Sequence, residues 1–200
     1  MIDGRVRLKP SIKGDHMKYA IMILSLLFVS TNAWANECLQ NRAAFDIGSS
    51  NTKMVVATVD ICLQNVKQIL EEKDEAVGYK VDLDNYQGRF SEEIQREGIA
   101  ALLRLKKVAQ KYNPIQYVGV ATSAFRKSKN GVMLTDRIKN KLDIRIQIIS
   151  QRTEAILGFL GAYPQTELDK KESLVWDIGG GSMQIVMVQD DDSFDSLLFM

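Results

Sequence analysis

The residues best suited to chemistry lie in two short loops that repeat. Residues 45–56 (FDIGSSNTKMVV) align without a gap on residues 176–187 (WDIGGGSMQIVM), at a fixed offset of 131 residues. Each copy reads as a strand ending in aspartate, a tight turn of small residues and a second apolar strand, so one supersecondary unit occurs twice and a duplicated architecture is expected. A strand that turns through Gly and Ser presents backbone N–H groups at a small concave site suited to an anion. In the first loop Gly48 lets the backbone approach closely, while Ser49, Ser50, Asn51 and Thr52 offer side-chain donors; Gly179, Gly180, Gly181 and Ser182 do the same in the second. Two such loops facing each other would grip a phosphate chain from both sides. Asp46 and Asp177 would then face one cleft and could hold Mg2+ through water, since that ion keeps several waters and needs few carboxylates. Capping their own turns is the plainer role for the same two residues.

The elements that must position these loops are mixed α and β. After the first hairpin, residues 66–71 predict a third strand, and the polar stretch 72–87 reads mostly as loop. Ser91 is placed to cap a helix running to about Tyr112, with Ile94, Ala101, Leu102, Leu105, Val108, Ala109 and Tyr112 on one stripe. Asn113-Pro114 ends it. Residues 115–121 predict a buried strand, 123–142 a largely helical stretch broken near Gly131, 144–149 another strand, and 153–162 a short helix stopped by Tyr163-Pro164. The charged segment 165–172 (QTELDKKE) lacks apolar periodicity and is the expected linker. Residues 36–164 are thus expected to form one α/β domain with a mixed sheet, and residues 173–200 only the opening strands of a second. A three-strand ribbon alone is marginal without more strands or a covering helix, which suggests a truncated second domain.

The amino end reads as an address. Residues 1–16 look like a spurious upstream start or an expression scar. Met17-Lys18, the apolar run 19–29 (YAIMILSLLFV) and Ala33-Trp34-Ala35 follow in the order of a cleavable signal peptide over residues 17–35. The run is shorter than the roughly 20 residues a spanning helix needs, so no stable membrane anchor is expected. Over the whole chain 26 basic and 25 acidic residues nearly cancel, which gives no electrostatic footprint for nucleic acid. Removing residues 1–35 takes away five basic residues (Arg5, Arg7, Lys9, Lys13, Lys18), two acidic ones (Asp3, Asp15) and the only histidine, His16, and leaves 21 basic against 23 acidic. Histidine-based catalysis and histidine-ligated metals are thereby excluded from the mature segment, and the chemistry must run on carboxylates, hydroxyls, Arg, Lys, backbone amides or an oxygen-ligated metal.

Four stretches in order, AAFDIGSSNTK (43–53), GVATSAFRKSKN (119–130), IQIISQRTEAILGFLGA (146–162) and SLVWDIGGGSMQIV (173–186), resemble the exopolyphosphatase and guanosine pentaphosphate phosphatase (Ppx/GppA) family. The resemblance covers about residues 43–190 and implies an actin-like (ribonuclease H-like) duplicated α/β fold within the actin-like ATPase superfamily. It further implies that Glu154, directly before Ala155, is the catalytic carboxylate that orients and deprotonates the attacking water, and that Arg126 holds phosphate oxygens. Its implied cofactor is Mg2+ or another divalent cation. At the start of a helix Glu154 has a plainer explanation too, because acidic residues are favoured at helix N-termini. The sequence departs from the family pattern D-I-G-G-G-S-T-E at Met183 and Gln184, and from S-G-x-E-E-A at Gln151 and Thr153. A glutamine at 184 supplies no charge to a metal. The family's second domain also continues well past residue 200.

If Ser49-Ser50-Asn51 is the turn between antiparallel strands, residues pairing across it have numbers that sum to about 100, as Cys38 and Cys62 do. An opposed pair brings Cα atoms about 4.5 to 5.5 Å apart, which a disulfide can span. A Cys38–Cys62 bridge is therefore expected, in keeping with a periplasmic or secreted protein. The function expected is a secreted phosphoanhydride hydrolase of the exopolyphosphatase type, releasing terminal phosphate from inorganic polyphosphate, or less readily from guanosine pentaphosphate made in the cytoplasm. A phosphate- or polyphosphate-binding fragment without turnover, and an actin-like ATPase, are the alternatives. A homodimer is left open.

Overall fold

The computed structural model describes residues 38–162 and 169–199. The segment expected to be an address, the helix stop at Tyr163-Pro164 and the first part of the linker lie outside the described residues. From Gln40 onward the chain forms one compact unit. In chain order its elements are β1 (Leu39–Ile47), β2 (Asn51–Asp60), β3 (Asn65–Ala76), α1 (Tyr79–Asn85), α2 (Glu92–Ala109), a 3-10 turn (Gln110–Tyr112), β4 (Gln116–Ala121), α3 (Ser123–Lys127), α4 (Gly131–Leu142), β5 (Arg145–Ile148), α5 (Gln151–Ala162), β6 (Leu174–Ile178), β7 (Met183–Val188) and β8 (Phe194–Phe199). No described helix is long and apolar enough to cross a membrane.

The first five strands make one sheet in the order β3-β2-β1-β4-β5. β3 runs antiparallel to β2, whereas β4 is parallel to β1 and β5 parallel to β4. Parallel neighbours need a crossover, and α2 and α4 supply it. Along β1, Ala43, Phe45 and Ile47 point into the core and Ala44 and Asp46 to the opposite side, as period-two alternation requires. Their apolar face meets Met54 and Val56 of β2, Ala101, Leu102 and Leu105 of α2, and Leu134 and Ile138 of α4. Ser91 caps α2 by accepting from the Ile94 amide at 3.1 Å. Three rings, Tyr79, Phe90 and Phe125, pack with centroids 4.9 to 5.4 Å apart and close the core beneath α3.

Two expectations need correction. β3 continues to Ala76 instead of ending near residue 71, and residues 79–85 form α1 where a loop was expected. β3 is an edge strand, paired only with β2, so its charged run stays solvated and blunts the edge. There Glu75 accepts from Arg104 at 2.8 and 3.0 Å, and Glu71 accepts from the Tyr112 hydroxyl at 2.8 Å. In α1 the buried residues are only Tyr79 and Leu83, one turn apart, too few for a periodic signal. Asp82 holds this helix to the next one by accepting from the Ser91 amide and hydroxyl at 2.8 and 2.6 Å.

The second sheet is antiparallel, in the order β6-β7-β8. The helix that such a ribbon needs is α5, which begins at Gln151, two residues earlier than expected, because Ser150 caps it by accepting from the Thr153 amide at 3.0 Å. Ala155 and Phe159 of α5 pack on Val186 and Val188, and the Phe159 ring meets Phe194 edge-on at 5.6 Å. The opposite face of this sheet exposes Leu174, Trp176, Ile178 and Leu197.

Cys38 and Cys62 are disulfide-bonded. Thiol titration of the denatured chain should therefore detect no free thiol until a reductant is added. A disulfide closing a loop of this size contributes about 3 kcal/mol, so reduction should lower the thermal midpoint by roughly 5–10 °C.

Candidate active site

Both repeated turns have the same geometry. The Gly48 amide donates to the Asn51 carbonyl at 2.9 Å, and the Gly179 amide to the Ser182 carbonyl at 2.9 Å, the same two positions displaced by the repeat offset. The first turn is braced from behind: the carbonyls of Ser49 and Ser50 accept from the Lys80 and Val77 amides, each at 2.9 Å. The two turns then touch. A Cβ on Gly180 would lie 3.0 Å from Ser50 Oγ, and one on Gly181 would lie 2.5 Å from Ser49 Oγ and 2.9 Å from Ser123 Oγ. Close approach is thus what requires glycine here. Ser123 Oγ donates to the Gly181 carbonyl at 2.8 Å and Lys127 Nζ reaches the same oxygen at 3.4 Å, so α3 holds the second turn against the first.

Between the turns lies a cleft of about 250 Å³. Asp46, Glu154 and Asp177 open into it with both sets of Gly/Ser residues. β1 delivers Asp46 just before its turn, β6 delivers Asp177 in the same way, and the first turn of α5 delivers Glu154. Arg126 stands behind Glu154: its Nη1 donates to Glu154 Oε2 at 2.7 Å and to the Ile149 carbonyl at 3.1 Å. Its Nη2 is buried without a hydrogen-bond partner among the described residues, and Arg126 itself, unlike Glu154, is not among the residues that line the cleft.

Two of the cleft's carboxyls are raised. Burial pushes the Glu154 carboxyl above its ordinary range, the Arg126 hydrogen bond and charge pull it back, and the charges of Asp177 and Asp46 add to the rise. Asp46 is also raised, first by desolvation although solvent reaches its side chain, with Lys53 opposing and Asp177 adding. Such crowding of negative charge suits a cation. The donors are all oxygens, which fits Mg2+. They do not converge into a closed cage: the one group of three or more close potential ligands among the described residues is Cys38, Asp60 and Cys62, of which the two cysteines are disulfide-bonded. The site therefore fits an ion held by one or two carboxylates, water and bound phosphate.

Three polar lining residues, Lys53, Thr122 and Ser123, and the apolar Ile178 escaped the sequence reading. All belong to the motifs singled out, but only the fold shows that Lys53 faces Asp46 and that Ser123 reaches the other turn. Gln184, paired with Asp177 across β6 and β7, is fully buried and outside the cleft lining. Its Nε2 donates to Ser182 Oγ at 3.0 Å, so it orients the last hydroxyl of the second turn.

Filling the contact between the turns should wedge them apart. Gly181→Ala should weaken pyrophosphate binding about tenfold in titration calorimetry and cost about 1–3 kcal/mol of stability through overpacking. Gly78→Ala, where a Cβ meets nothing within 4 Å, should leave binding unchanged.

The chain is 29% identical over 151 residues to the bifunctional 3-dehydroquinate synthase/phosphatase of Fusobacterium nucleatum, covering 73% of this chain and 23% of that protein. It is 29% identical over 165 residues to the guanosine-5'-triphosphate,3'-diphosphate pyrophosphatase of Pseudoalteromonas atlantica, covering 82% of this chain and 32% of that one. Among solved structures, an exopolyphosphatase from Cytophaga hutchinsonii superposes with a TM-score of 0.68 at 24% identity over 79% of this chain and 50% of its own. The Aquifex aeolicus Ppx/GppA family member gives 0.66 at 24% identity over 80% and 51%. The chain thus spans a third or less of these curated relatives and about half of these solved structures, and the superpositions show that it shares their actin-like α/β fold. The family model for the Ppx/GppA phosphatases matches residues 55–197, and the chain belongs to that family.

Proposed function

We propose that this chain carries the catalytic cleft of a secreted phosphoanhydride hydrolase that releases terminal phosphate from inorganic polyphosphate by attack of water. The observation that carries the reading is Glu154, opening into the cleft with both Gly/Ser turns and held by Arg126 from behind. In phosphoryl transfer the protein has little covalent work to do, and positioning and charge neutralisation dominate. The turns Gly48–Asn51 and Gly179–Ser182 receive the terminal phosphates with their amides and hydroxyls. Arg126 with Nη1 holds Glu154 still, so that the carboxylate takes a proton from a water aimed at phosphorus. Lys53 adds positive charge beside Asp46. A divalent cation at Asp46 and Asp177, when bound, neutralises charge on the phosphate oxygens.

Inorganic polyphosphate is favoured over a guanosine alarmone because the signal-peptide pattern at 17–35 directs the chain out of the cytoplasm, where such nucleotides are made. One observation favours a second reading, a phosphate-binding module without turnover: position 184, acidic in the family pattern, is a neutral glutamine engaged with Ser182.

Phosphate release from polyphosphate with Mg2+ separates the two. Glu154→Gln should lower the rate about 10²–10⁴-fold while polyphosphate still binds; binding without release by the unsubstituted chain selects the second reading, and release indifferent to the substitution rejects the mechanism. The base works deprotonated and its carboxyl is raised, so the rate should climb with pH through a limb above the ordinary carboxylate range. Arg126→Met removes the charge that restrains it and should move that limb to higher pH.

A further inference from the structure

The first turn of α5 touches both sides of the cleft. Glu154 faces Arg126 of the first sheet's domain, while Gln151 and Arg152 reach the second sheet. Gln151 Nε2 donates to the Phe199 carbonyl at 2.8 Å and to the Met183 carbonyl at 3.3 Å, two residues paired with each other across β7 and β8. Arg152 Nη2 donates to the Phe194 carbonyl at 3.0 Å, at the other end of β8. Met183 directly follows Ser182. The second turn is therefore tied at two points, at Gly181 by Ser123 and Lys127 and at Met183 by Gln151. Every acceptor is a backbone carbonyl, so the ties depend on the donor side chains alone. Gln151 stands where the family pattern has glycine, which could make no such tie.

We propose that Gln151 is a positioning residue that latches the second phosphate turn beside Glu154, holding the start of β7 from the same helical turn that carries the base. The inference rests on the reading of the cleft as a phosphoanhydride site. A latch of this kind acts through pre-organisation: with the turn fixed, phosphate binds a cleft already closed, and without it the apparent affinity falls by the fraction of molecules that remain closed. Chemistry within the closed state is left as it was.

The test uses the full chain with Gln151→Glu, which keeps the shape but cannot donate, and Gln151→Lys, which restores a donor. Hydrogen exchange of the amides of residues 179–188 needs no turnover. It should quicken about five- to tenfold in the Glu variant and stay near the unsubstituted rate in the Lys variant. Unchanged exchange in the Glu variant, or equally fast exchange in both, overturns the latch. In phosphate release from polyphosphate the Glu variant should raise KM about tenfold with kcat within about twofold. A fall in kcat at constant KM overturns the inference by assigning Gln151 to the chemical step. If the unsubstituted chain releases no phosphate while exchange responds as expected, the hydrolase reading fails and the latch stands.

Discussion

The contact between the two Gly/Ser turns sets what the rest of the structure must accomplish. Gly181 lies so near Ser49 and Ser123 that a methyl group there would force them to shift, and Gly180 lies nearly as close to Ser50. Hydroxyls and amides of two separate sheets can then converge on one small volume. Such an approach has no intrinsic driving force, since polar groups brought together lose water. It is held by packing elsewhere: the ring cluster of Tyr79, Phe90 and Phe125 beneath α3, and the seating of Phe159 on Val186 and Val188 beneath α5. The helices α3 and α5 therefore act as two struts. Each packs apolar side chains in one direction and sends a polar one into the cleft lining, Ser123 from the first and Glu154 from the second, while Arg126 holds Glu154 and Gln151 holds the start of β7.

Charge in the cleft is arranged by the same geometry. Asp46, Glu154 and Asp177 come from three different elements; burial raises the carboxyls of Asp46 and Glu154, and the neighbouring carboxylates add a smaller rise. Lys53 and Arg126 offset it only in part. An excess of negative charge walled by oxygen donors favours a bound cation. Gln184 fits this balance: a carboxylate buried at that position would add to the repulsion, whereas the amide donates to Ser182 and keeps the turn in shape.

Much of the architecture was legible in the residues. The gapless repeat of two hairpins follows from strand periodicity and small-residue turns, and both turns close with the same hydrogen bond. The Ser91 cap and the apolar stripe of α2 are local signals that tertiary contacts did not override. The reading failed where local pattern was weak. β3 runs through a charged segment because an edge strand needs no buried face, and α1 buries two residues in seven. The start of α5 was placed late because Gln151 and Arg152 look like surface residues, and their partners are carbonyls more than thirty residues away.

By itself the sequence determined which chemistry is open to this chain. Residues 36–200 hold no histidine, and with two Asp-Ile-Gly turns, a glutamate at 154 and an arginine at 126 they leave carboxylates, hydroxyls, Arg, Lys, backbone amides or an oxygen-ligated metal to work with. Tertiary structure alone decided how those groups are shared. Arg126 pairs with Glu154, Lys53 stands near Asp46, and Gln151 ties the start of β7 to the helix that carries Glu154. The physical reason is distance. Residue type and local periodicity act within a turn or a strand, whereas a proton's affinity and a side chain's orientation depend on charges and carbonyls that only folding brings within a few ångströms.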